Sequence, residues 1–171
     1  MPSFKELYEP VARLAARENN INENIFCGLI TIESKWNPNA VNPDSGAAGI
    51  SQIMRIWHPG VNVFNPIESL HYSAKLIRSY LNVFNGDYDW ALAAYHMGIS
   101  AVTAMYNTAG QLPFYELRNY VYPVQQLAME CVIHQPAPTF IPSAMPSVTP
   151  EASLFDPLYL LVPLLGALLK Q

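Results

Sequence analysis

Residues 37 to 65 carry five Asn, three Pro and three Gly, more breakers than a continuous helix tolerates, yet strongly helical patterns flank the stretch on both sides. A plain bundle is therefore excluded. The pattern predicts a mainly α domain into which a polar loop, with a short hairpin or a single helical turn, has been inserted. Ahead of the loop, Phe4, Leu7, Tyr8, Val11, Leu14 and Ala15 follow helical spacing up to a break at "ENNIN". Asn22 can then cap a second helix, "ENIFCGLITIES", whose Ile25, Phe26, Leu29, Ile30 and Ile32 make it a mostly buried rod. Behind the loop, Asn65 as N-cap, Pro66 at the first helical position and Glu68 completing a capping-box pattern open a third helix, which Gly86 follows. Its expected core face is Leu70, Ala74, Ile77, Leu81 and Phe84. Two shorter helices, "YDWALAAYHMG" and "ISAVTAMYNTAG", each close on a Gly, and a last one is expected from about Pro113 to His134.

Glu33 ends the buried second helix. The negative end of the helix dipole and the apolar neighbours Ile30 and Ile32 both favour its protonated form, as a general acid requires. From position alone, a surface glutamate paired with Lys35 or Arg55 fits as well.

Only 13% of the 171 residues are charged and the net charge is −4. The Lys and Arg residues are scattered, so the chain lacks the electrostatic footprint of nucleic-acid binding. A surface carried by Asn, Ser, Gln and Tyr suits carbohydrate. Cys27 and Cys131 are too few and too far apart for a metal motif or a disulfide framework, and are expected as buried thiols in two helices rather than as a bridge. The first twenty residues contain acids and no apolar core, so they are not read as a secretory signal, and synthesis in the cytoplasm is expected. The helical domain is expected to span 1–134. A Pro-rich linker follows over 135–153, with five prolines in "QPAPTFIPSAMPSVTP", and then an apolar tail, 154–171. The tail's uninterrupted apolar run, Pro157 to Leu169, is shorter than the roughly 20 residues of a membrane span. It reads as a tail that packs on its own domain or on a partner subunit, or as a shallow membrane contact.

Three ordered blocks carry a family resemblance. "ESKWNPNAVNPDSGAAGISQIM" resembles the signature of the soluble lytic transglycosylases, a Glu-Ser pair, an Asn-Pro and a Gly-Ala-x-Gly-Leu-Met-Gln run. "ALAAYHMGISAV" is similar to that family's Ala-Leu-Ala-Ala-Tyr-Asn-Ala-Gly segment, and "FYELRNYVYPV" to its Glu-Thr-x-x-Tyr-Val segment. The resemblance covers about residues 20 to 130. It implies an α+β lysozyme-like fold, a helical domain with a small loop or hairpin lobe forming a glycan cleft. It implies that Glu33 is the catalytic acid/base, with Gln52 and Tyr95 lining the cleft and Glu116 and Tyr120 shaping it from behind. Ser34, Asn42, Gly49, Met54 and His96 complete the expected substrate-binding set, with Gly46 and Gly49 letting backbone approach sugar. For Ser34 a hydroxyl bonded back to its own helix is the competing reading. His96 stands where the family has Asn, and Ser51 where Met is common. Asn42, or Asp44 beyond it, falls near a frequent Ser.

The activity so implied is cleavage of peptidoglycan glycan strands between N-acetylmuramic acid and N-acetylglucosamine, without cofactor or metal. Ordinary glycosidases need two carboxyl groups. The nearest second acid, Asp44, sits in "NPDSG", which is turn chemistry. With one acid, the family's substrate-assisted route to a 1,6-anhydro sugar is expected; a hydrolytic muramidase, or a glycan-binding docking protein, is the alternative. The absence of a signal, together with the tail, leads to the expectation of a phage virion protein that acts on the wall during entry, with virion proteins or membrane as partners of 154–171.

Overall fold

The computed structural model describes residues 1–133, with side chains to residue 130. The expected boundary at 134, the linker 135–153, the tail 154–171 and the side chain of Cys131 lie outside the described residues. Within them the chain forms α1 (Phe4–Glu18), α2 (Glu23–Ser34), β1 (Ala47–Ala48), β2 (Ile53–Met54), α3 (Pro66–Val83), α4 (Tyr88–Met97), α5 (Ile99–Thr108), a single turn α6 (Phe114–Glu116), a π-helical segment (Leu117–Val121) and α7 (Tyr122–Ile133). The interrupted-helix reading holds. The inserted loop contains a two-stranded antiparallel hairpin, Ala47 opposite Met54 and Ala48 opposite Ile53.

Caps set the helix starts. Asn22 accepts the amides of Asn24 and Ile25, Asn65 those of Ile67 and Glu68, and Asp87 those of Asp89 and Trp90. The capping box expected at Glu68 is not made. Its Oε1 accepts the amide of Asn62 at 3.0 Å, so it ties the end of the loop to α3 instead. A box does form at α1, between Ser3 and Glu6.

The core is built around α2, which packs most extensively on α7 and also on α1. Gly28 permits the α2–α7 crossing, because a Cβ there would stand 2.4 Å from the carbonyl oxygen of Val124. On α3 the expected core face, Leu70 to Phe84, is buried throughout. On α1 the burial differs from the spacing argument. Phe4, Leu7 and Leu14 are exposed, while Ala12, Ala15 and Ala16 are fully buried beside the partly buried Tyr8 and Val11. Small side chains let α1 lie close against α2 and α3, and close approach leaves no room for the larger residues. A second, small cluster of Ala48, Ile53 and Val63 supports the hairpin.

Candidate active site

Glu33 occupies the last turn of α2, and the backbone changes direction immediately after it. Lys35 (φ 52°) and Trp36 (φ 70°) are both left-handed. Such conformations cost non-glycine residues roughly 1 kcal/mol or more each and persist only when the surroundings hold them. Here the Trp36 ring is buried, and its Nε1 donates to Thr31 Oγ1 at 2.9 Å, pinning the exit to the helix. Gln52 (φ 49°) is the third positive-φ residue other than Asn and Gly among the described residues. Lys35 and Gln52 line the groove beside Glu33 and Trp36 follows Lys35 directly in the chain, so the left-handed backbone is concentrated next to Glu33.

The cleft has a volume of about 380 Å³ and brings together Glu33, Asn42, Gln52, Met54, Tyr95, His96 and Tyr120. Ser34, the remaining first neighbour, faces the outer groove that continues from it. Its hydroxyl donates mainly across to the carbonyl of Ile50 at 2.6 Å, with a long 3.5 Å contact to its own helix. The hydroxyl thus joins α2 to the loop. Gly49 is buried rather than facing the cleft, with its Cα against the backbone of Val63. Glu116 is buried behind the cleft wall.

Tyr120 is closer to Glu33 than expected. Its hydroxyl donates directly to Glu33 Oε1. The π-helical segment explains how: the wider turn, closed by the Tyr122 amide on the Leu117 carbonyl, redirects Tyr120 relative to a continuous α-helix. Tyr95, from α4, donates instead to the carbonyl of Ser51 at 2.7 Å and so fixes the strand side of the cleft. Burial, reinforced by the charge of Glu33, pushes both phenols well above their usual range, so they act as neutral donors.

Burial likewise raises Glu33, to about 7, against the opposing pulls of the Tyr120 hydrogen bond and the charge of His96. Neither Lys35 nor Arg55 pairs with it. The carboxyl is therefore protonated through the acid range and about half protonated near pH 7, and can still ionise after giving up its proton. Because the Tyr120 hydrogen bond favours the carboxylate, Tyr120→Phe moves the alkaline limb of the pH–rate profile upward. It also lowers kcat/KM about tenfold, as loss of one hydrogen bond to a charged group requires. Rates between pH 5 and 9 check both effects.

Asp44 lies in the exposed turn after Asn42, whose Oδ1 accepts the amides of Asp44 and Ser45. It reaches the outer groove but not the enclosed cleft. The Nδ1 of His96 meets Glu116 at 2.9 Å. At Ser51, where Met is common in the family that the sequence resembles, the buried hydroxyl receives a hydrogen bond from Ser73 on α3 at 3.1 Å, so the polar residue is matched across the core.

A helical domain holding one desolvated carboxyl over a hairpin-walled groove has the lysozyme-like architecture. The model of the "Transglycosylase SLT domain" family matches residues 10–117, and the chain belongs to that family. The crystal structure of the 70 kDa soluble lytic transglycosylase from Escherichia coli is similar in fold, with a TM-score of 0.59 at 23% identity. The match covers 71% of this chain and 23% of that one, so the chain corresponds to under a quarter of the larger protein.

Proposed function

We propose that the chain is a peptidoglycan lytic transglycosylase that cleaves the β-1,4 bond from N-acetylmuramic acid to N-acetylglucosamine and leaves 1,6-anhydro ends. The observation that carries this reading is Glu33, a carboxyl raised to about 7 as the one acid of the enclosed cleft among the described residues. It donates its proton to the glycosidic oxygen while the substrate's acetamido group stabilises C1. The resulting carboxylate, stabilised by Tyr120, then takes the proton of the sugar's own 6-hydroxyl as that oxygen closes on C1. One group serves as acid and then as base, so no second carboxylate opposite it is required. Mass spectrometry of digested murein tests the reading: 1,6-anhydro ends are expected, and reducing ends in their place would reassign the protein to hydrolytic muramidases.

Delivery by a phage particle for local wall penetration is the accompanying proposal. It is supported by the sequence of the proline-rich 135–153 and the apolar 154–171, which would attach the enzyme to virion proteins or to membrane. Proteomics of purified particles decides it, and absence of the protein from them would defeat it.

A further inference from the structure

His96 and Glu116 form an arrangement that the anhydro-forming reaction does not use. Glu116 is 2% exposed, and its two carboxyl oxygens lie 2.9 and 3.2 Å from Nδ1 of His96. A carboxylate buried to that degree needs a donor, which assigns the Nδ1 proton to the histidine side of the contact. In the neutral ring Nε2 then carries the lone pair. Among the described residues Nε2 makes no hydrogen bond, and the half-exposed ring lines the same cleft as Glu33. The ring also lies flat on Tyr120, centroids 4.2 Å apart and planes 11° from parallel. Its position is thus fixed from two sides, by a buried carboxylate and by a stacked phenol. An imidazole oriented by a carboxylate on one nitrogen and open on the other is the arrangement of a general base. The Tyr120 phenol stands between it and Glu33, so the two proton-handling groups share one cleft without touching each other.

We propose that His96, positioned by Glu116, activates a water in this cleft and gives the protein a hydrolytic outcome beside the anhydro-forming one. The inference rests on the reading of Glu33 as the acid. In the hydrolytic step a water O–H proton passes to Nε2 and the water oxygen bonds to C1. The glycosidic C1–O bond breaks, and its oxygen takes the proton of Glu33. The products are a reducing N-acetylmuramic acid end and a free 4-hydroxyl on N-acetylglucosamine. The imidazolium proton returns to the Glu33 carboxylate through solvent, which restores both groups.

Digestion of murein glycan strands in ¹⁸O-water tests this, read as the ratio of ¹⁸O-labelled reducing ends to 1,6-anhydro ends. The wild type is expected to form both. His96→Phe keeps a ring on Tyr120 but has no base, and lowers the ratio at least about tenfold. His96→Asn does the same without the ring, so misfolding of one variant does not decide the result. Glu116→Gln keeps a hydrogen-bond acceptor without the charge and lowers the ratio less, while ¹⁵N spectra of His96 lose their preference for the Nδ1–H tautomer. Anhydro ends alone from the wild type, or an unchanged ratio in both His96 variants, overturn the inference and leave the transglycosylase reading intact. Reducing ends alone overturn the transglycosylase reading, and their loss in His96→Phe would still support the base. No cleavage by the wild type overturns both.

Discussion

Glu33→Gln abolishes turnover and, above pH 7, yields a more stable protein than the wild type. The first effect is expected to be on the order of 10³-fold in kcat, about 4 kcal/mol of barrier, since in the proposed mechanism one group supplies both proton transfers and the amide supplies neither. The second follows from linkage. Glu33 is raised to about 7 in the folded protein from an ordinary carboxylate value of 4.5. Between those two values the unfolded chain binds fewer protons than the folded one, so wild-type stability falls as pH rises, and the loss is complete above about 7. The cost approaches about 3 kcal/mol, at 1.36 kcal/mol per unit. An amide cannot ionise and escapes it, while its oxygen still accepts from Tyr120. Urea unfolding of both proteins at pH 4, 6 and 8 should therefore show curves that coincide in acid and separate in base. Equal stabilities at pH 8 would mean that the carboxyl is not desolvated, and would remove the basis for a loaded acid. Wild-type activity should likewise hold below about pH 7 and decline above it, as the carboxyl loses the proton it must donate.

That acid was legible in the sequence because its causes are local: a helix end, apolar neighbours and a motif of contiguous residues. The helices were legible for the same reason, since Asn22 and Asn65 cap within a few residues of themselves. What escaped was tertiary. Nothing in "FYELRNYVYPV" announces a π-helical turn, yet that turn changes Tyr120 from a residue behind the site into the hydrogen-bond partner of Glu33. His96 and Glu116 are twenty residues apart on different elements, so their pairing is invisible to any periodicity. On α1 spacing identified the helix but not which of two adjacent stripes packs inward. The alanine stripe won because close helix approach depends on small volume, which a hydrophobicity pattern does not weigh.

The loop that carries Gln52 and Met54 depends on one glycine more than on its polar residues, and a comparison of two glycines at nearly equal φ isolates the reason. Gly46 (φ +75°) and Gly49 (φ +77°) both sit in the left-handed region, where an alanine costs about 1–2 kcal/mol. A Cβ on Gly46 would meet nothing within 4 Å, so Gly46→Ala is expected to lose only that conformational term. At Gly49 the same Cβ would stand 1.8 Å from the carbonyl oxygen of Val63 and 2.8 Å from its carbon, both backbone atoms that no rotamer change can move. Relief requires separating the loop from Val63, which belongs to the small cluster holding the hairpin, and breaking the Gly49 amide's hydrogen bond to the Ala40 carbonyl. Overpacking adds about 1–3 kcal/mol, so Gly49→Ala should lose about 3 kcal/mol or more in total, a fall in Tm of about 10 °C for a domain of this size. Activity should fall with it at temperatures where the protein is still folded, because Gln52 Nε2 donates to the carbonyls of Gly49 and Ala40 and would lose its anchor on the cleft wall. Calorimetry of the two variants side by side, with murein turnover at 20 °C, is the test. Equal losses at both glycines would mean that the contact with Val63 is loose, and that the cleft wall is held by Tyr95 and Ser51 instead.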